Sequence, residues 1–206
     1  AQLQLNLGAG TGAGAAQNNF NVVSTSSGAV TKLNRPTTTN AANFNFGSQS
    51  PATQGFVDNL QGAIVIAAGG KDILNVDDTG ATRAKNGPLA GFLTASTLNG
   101  MGMGLGITSY SGLVRININL GGSANVFTIQ STHAGTEVHL TTDANDIVNV
   151  QSTASATFVT TLTGSNTINV GSLAPNTGGL LSGIQGALTI TGTGNACGLF
   201  LVAISY

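Results

Sequence analysis

Charge is the first thing the chain lacks. Only 6% of its 206 residues are Asp, Glu, Lys or Arg, against roughly 25% in an ordinary soluble domain. The basic residues Lys32, Arg35, Lys71, Arg83, Lys85 and Arg115 are scattered. A surface that follows a phosphate backbone needs them clustered, so nucleic acid is not an expected partner. Cys197 is the single cysteine, which excludes an internal disulfide. No apolar run approaches the ~18 residues of a membrane span. The longest, Leu199-Phe200-Leu201-Val202-Ala203-Ile204, is the length of a strand. No signal-peptide pattern opens the chain, and Ala1-Gln2-Leu3 is compatible with a mature end left by cleavage. The net charge of −1 leaves little repulsion between copies, which favours association.

Glycine is abundant, with 30 residues, and Thr, Ser and Asn fill most of the remaining polar positions. Comparison of the chain with itself reveals a repeat. Asn43-Phe44-Asn45-Phe46-Gly47-Ser48 resembles Thr167-Ile168-Asn169-Val170-Gly171-Ser172, and the match continues without a gap to Gly62 and Gly186. Upstream, Asn19-Phe20-Asn21-Val22 resembles Val126-Phe127-Thr128-Ile129 at a shorter offset, as though the first copy had lost one unit near residues 148–162 of the second. That smaller unit is itself visible. Phe127-Thr128-Ile129-Gln130-Ser131-Thr132 recurs as Val148-Asn149-Val150-Gln151-Ser152-Thr153, a period of about 20 residues. Two strand-like pieces fall in each period. They alternate apolar and polar side chains and are separated by Gly, Asn, Asp and Ser. The segment from Pro88 to Leu105 mixes Leu, Met and Gly and reads as a loop or distorted coil, because glycine weakens a helix.

These patterns predict an all-β chain. A β-solenoid, or β-helix-like repeat, is the leading architecture. A β-sandwich with strand-exchange assembly is the alternative, since sandwiches also use short strands every 8–12 residues. The chain is read as one elongated domain, 1–206, with internal repeats at approximately 1–82 and 114–206 and a Gly-rich segment, 83–113, between them. In the solenoid, Phe127, Val148 and Ile168 stack inward and Thr128, Asn149 and Asn169 stack on the outer face.

Two blocks carry a family resemblance. Gly69-Gly70-Lys71-Asp72-Ile73-Leu74-Asn75-Val76-Asp77-Asp78 and Asn145-Asp146-Ile147-Val148-Asn149-Val150 resemble coils of large secreted bacterial proteins of the hemolysin type, the repeats-in-toxin-like proteins and adhesins. The resemblance implies secretion, an extracellular or cell-surface location and a parallel β-roll or β-helix. Calcium coils of that family follow Gly-Gly-x-Gly-x-Asp-x-apolar-x. Here the middle glycine is missing after Gly69-Gly70, and Asn166 stands where an aspartate belongs. Calcium takes six to eight oxygens, and seven carboxylates cannot supply a ladder of such sites. The calcium candidates are Asp77, Asp78, Asp143 and Asp146. The preferred reading is that these aspartates cap turns and that Asn and Thr ladders replace bridging ions.

No catalytic constellation is legible. Asp77 and Asp78 are adjacent, so on a strand they point to opposite faces. His133 and His139 are separated by a turn at Gly135 and read as exposed histidines without partners. No nucleophile elbow appears, and no Lys-Ser/Thr follows the glycines between Gly102 and Gly106. The chain is expected to have no enzymatic activity and no cofactor.

The termini suggest assembly. Leu3, Leu5 and Leu7 alternate with Gln2, Gln4 and Asn6, forming a first strand with an inward apolar edge. At the other end, Leu199, Phe200, Leu201, Val202 and Ile204 are apolar on both faces, as in a strand covered by a neighbouring subunit or buried centrally within the chain. Uncapped repeat ends pair with further strands. The sequence therefore predicts a secreted structural subunit of a surface filament that polymerises head to tail with copies of itself. A carbohydrate-binding adhesin module of a larger protein, with a surface polysaccharide as partner, is the second expectation.

Overall fold

The computed structural model describes residues 1–6, 18–37 and 40–192, and the backbone of 196–201. The fold is all-β, an open sheet system without barrel closure. Among the described residues there is no α-helix, only a 3-10 turn at Gly87–Leu89. None of the helical segments is long and apolar enough to cross a membrane. In the first half the strands are β1 (Gln2–Asn6), β2 (Asn18–Val22), β3 (Val30–Asn34), β4 (Ala42–Phe46) and the long β5 (Ala63–Asp77). Three follow across the middle: β6 (Gly91–Leu93), β7 (Leu98–Asn99) and the long β8 (Ile107–Asn119). The second half contributes β9 (Val126–Ile129), β10 (Glu137–Thr142), β11 (Ile147–Val150), β12 (Thr157–Thr161), β13 (Ser165–Val170), β14 (Leu188–Gly192) and β15 (Ala196–Leu201).

These strands stack in three parallel runs. The first run is β1, β3 and the front halves of β5 and β8. The second is β2, β4, the back halves of β5 and β8, then β10, β12 and β14. The third is β6, β9, β11, β13 and β15. Alternation sets what each run buries. In β4, Ala42, Phe44 and Phe46 are buried, while Asn43 and Asn45 between them are half-buried. Register turns this into columns. Phe20, Phe44, Leu74, Ile116 and Val138 share one inward column of the second run, and Phe127, Val148 and Ile168 share one in the third. Each fully buried Leu, Ile or Phe contributes about 1.5–3 kcal/mol, but only because the next strand covers it.

The two sequence repeats occupy different runs. β2 and β4 lie in the second run, whereas their counterparts β9 and β13 lie in the third. β3 and the front of β5 lie in the first run, whereas β10 and β14 lie in the second. The second copy is thus displaced by one face. The displacement occurs at the Gly-rich segment, and here the loop reading of residues 88–105 is corrected. The segment forms β6 and β7, a short antiparallel pair, and β6 enters the third run beside β9. Gly91 has a packing reason, since a Cβ there would overlap the Phe127 ring.

Candidate functional site

The first candidate is the end of the stack formed by β1 and β2. Leu3 aligns with Thr31 and Leu5 with Leu33, so both stand on the inward columns of the first run. Thr31 and Leu33 are buried, but Leu3 is 54% and Leu5 40% exposed. Among the described residues β1 pairs only with β3, and β2 only with β4. One edge of each strand is therefore unpaired among the described residues, and the apolar column beside it stays partly exposed. Phe20 stacks on Phe44 with ring centroids 5.5 Å apart, and is itself only half-buried.

The opposite end is formed by β14 and β15. Leu188 and Ile190 continue the inward columns of the second run and are half-buried. The backbone register sets Leu199 beside Ile168, Phe200 beside Asn169 and Leu201 beside Val170. Among the described residues β15 pairs only with β13. Leu7, Val202 and Ile204 of the expected interface lie outside the described residues.

Along the outer face, amides form ladders. Asn45 donates to Asn21 at 2.9 Å, Asn75 to Asn45 at 2.8 Å and Asn117 to Asn75 at 2.7 Å. The ladder continues in register through His139 to Phe158, whose ring stacks on the imidazole at 4.6 Å. His139 also contacts Glu137, and Arg115 donates to Glu137 at 3.3 Å. The hydrogen bond from His139, followed by that from Arg115, holds the Glu137 carboxyl below the usual range. His133 Nδ1 meets the Thr136 hydroxyl at 3.2 Å. The expectation of partnerless histidines is therefore corrected for both. The ladder of the third run links Asn149 to Thr128 and Asn169 to Asn149 at 3.2 and 2.9 Å. Asn149 and Asn169 stack with Thr128 in one column, as expected for the outer face, and both are buried there. The 171–187 segment borders this ladder, with Ala174 O accepting from Gln151 at 2.8 Å.

The calcium candidates form two separate corners. Asp77 accepts from Gly55 N at 2.7 Å and from the Thr79 hydroxyl at 2.7 Å. Asp78 accepts from Val57 N at 3.0 Å. Both are buried, because the strand ends at Asp77 and the chain turns. They do not face opposite ways; together they pin the 47–62 loop. Asp143 accepts from Ala144 N at 2.8 Å and from the Thr163 hydroxyl, which keeps its carboxyl below the ordinary range. Asp146 accepts from Asn125 N at 2.7 Å and from Asp143 N at 3.0 Å. Burial lifts the Asp146 carboxyl to about 6 and that of Asp78 to about 7. Among the described residues no three His, Cys, Asp or Glu side chains converge as a metal would require.

Comparing corners exposes a device the sequence pattern did not convey. Asp72 accepts from Ala42 N of the preceding level at 2.8 Å and from Gly69 N, three residues back, at 2.6 Å. Asp146 repeats the pattern with Asn125 N and Asp143 N. Asn125 and Asn166 accept from Lys85 N at 2.9 Å and Asp146 N at 3.0 Å. The positions that resemble a calcium coil are thus occupied by side chains that tie one level to the next directly. Two buried cations were also missed. Arg35 pairs with Asp72, both fully buried, and Lys85 pairs with Asp58 and lies 3.9 Å from Asp78. Their sequence signal is absent, because the partners are 37 and 27 residues away.

Thr141, Thr160 and Thr191 share one outward column after Asn119. The neighbouring column carries His139, Phe158 and Thr189, so no repeated Thr-x-Thr face forms. Compared with protein-family models, with curated proteins and with solved structures, the chain matches none.

Proposed function

We propose that the chain is a β-solenoid serving as a structural subunit of an extracellular filament, joined head to tail by strand stacking. The observation that carries the reading is the pair Leu3 and Leu5, aligned with buried columns yet 54% and 40% exposed. A further strand is the natural cover for such an edge, and a second copy supplies one in the same parallel sense. Among the described residues the second run has an unpaired edge at each end, with Phe20 and Val22 on β2 and Leu188 and Ile190 on β14. Stacking one upon the other continues two apolar columns across the junction. Parallel pairing along all three runs supports a solenoid over a sandwich, which is built from antiparallel sheets. The scarcity of surface charge supports self-association. The extracellular setting rests on the sequence resemblance to secreted repeat proteins. No catalytic role is assigned.

Electron microscopy of the purified chain, with and without a chelator, tests this reading. Filaments that persist in chelator and vanish in Leu5→Asp are expected. Isolated particles at every concentration would overturn it. The second reading, a carbohydrate-binding module, is favoured by one feature. A recess of about 210 Å³ lies between Asn45, Asn75 and Asn119 and the Ser50–Thr53 turn, and offers amides to a neutral sugar. Retention on a neutral polysaccharide column, lost in Asn75→Leu, would support it.

A further inference from the structure

Lys85 is the most buried cation that reaches two carboxylates. Its side chain is 1% exposed, and its Nζ contacts Asp58, lies 3.9 Å from Asp78 and donates to Met101 O at 3.0 Å. Asp78 is fully buried, and its Oδ2 has no hydrogen-bond partner. Val57, whose N–H bonds Asp78, and Met101, whose carbonyl accepts from Lys85, are fully buried, while the Asp58 side chain is 34% exposed. Gly102 closes over the contact, since a Cβ there would overlap both Asp58 Oδ1 and Lys85 Nζ. The site lifts the Asp78 carboxyl to about 7 by burial, so Asp78 can both take up and release a proton near neutral pH. It also holds the two reacting groups together, which removes most of the entropic cost of joining them.

We propose that Lys85 Nζ and Asp58 Cγ are joined by an intramolecular amide bond, with Asp78 as the proton carrier. The amine lone pair attacks Cγ of the Asp58 carboxylic acid. Asp78 takes a proton from the attacking nitrogen and returns one to the departing hydroxyl, which leaves as water. One C–N bond forms, one C–O bond breaks, and Asp78 ends as it began. No oxidant, reductant or activating group is consumed. The bond ties the loop after β4 to the segment leading into β6, across the place where the second repeat changes face. A subunit that bears load in a filament would gain a covalent clamp there, but the bond does not depend on the filament reading.

Intact mass spectrometry of the denatured full chain tests the proposal, with tryptic mapping. The expected result is a mass one water below that of the sequence, and a branched peptide joining the fragments that carry Asp58 and Lys85. Lys85→Arg and Asp58→Ala are expected at their full sequence masses. Asp78→Asn, shown to be folded by circular dichroism, is expected to keep the water. A wild-type chain at its full sequence mass would overturn the proposal. So would a water loss that survives in Lys85→Arg. The branched peptide is decisive even if a variant fails to fold, because it is sought in the wild-type chain.

Discussion

Asp72 in the first half and Asp146 in the second perform the same task in different electrostatic settings. Each bonds an N–H three residues back and an N–H of the preceding level. Asp72 has a buried cation, Arg35, against it. Asp146 has only Asn125 and backbone N–H donors, and burial raises its carboxyl to about 6. The geometry of a corner is therefore independent of its charge. What differs is the consequence of changing it. A buried cation that loses its partner is costly, whereas neutralising Asp146 strands no buried cation.

The largest expected effect breaks the first corner. Asp72→Asn leaves Arg35 buried and unpaired, and the chain should lose about 3–5 kcal/mol of stability in denaturant titrations. Replacing both partners by apolar residues of similar size should recover only part of that loss, because Ala42 N and Gly69 N lose their acceptor. Phe44→Ala tests the column above it. It should cost about 3–5 kcal/mol as a cavity in a filled column, while Phe20→Ala, at the half-buried end, should cost clearly less. If the two cost the same, the end is not open in solution. Asn75→Leu interrupts the outer ladder and should cost about 1 kcal/mol.

Asp146→Asn strands no buried cation, so it should cost less than Asp72→Asn, and its signature is a pH profile. The folded carboxyl of Asp146 lies above its unfolded value of 3.8, at about 6. Stability from the protonated form is fully present below about pH 4 and is lost as pH rises through 6. The variant should therefore lack that decline, and its melting temperature relative to wild type should rise between pH 4 and pH 7. A difference that stays constant with pH would contradict the assignment of the shift to this residue.

Much of the all-β character was legible, because period-two alternation and glycine turns act locally. The inward columns of Phe127, Val148 and Ile168 could be read from repeated spacing. The change of face between the copies could not. It depends on β6 and β7 within a glycine-rich segment that carries no alternation, and on β8 running through two faces. The role of Asp146 was half legible. Turn capping follows from its neighbours, but the bond to Asn125 joins levels 21 residues apart. Arg35 and Lys85 were invisible as core residues, since composition classes them as surface charge. The buried state of Asn149 and Asn169 was hidden for the same reason, since composition classes asparagine as a surface residue.

Oriented fibre diffraction of the assembled protein tests the central claim most directly. Head-to-tail stacking of parallel strands predicts a reflection at about 4.8 Å along the filament axis. The same spacing perpendicular to the axis, or a failure of the chain to form any oriented assembly, would contradict it.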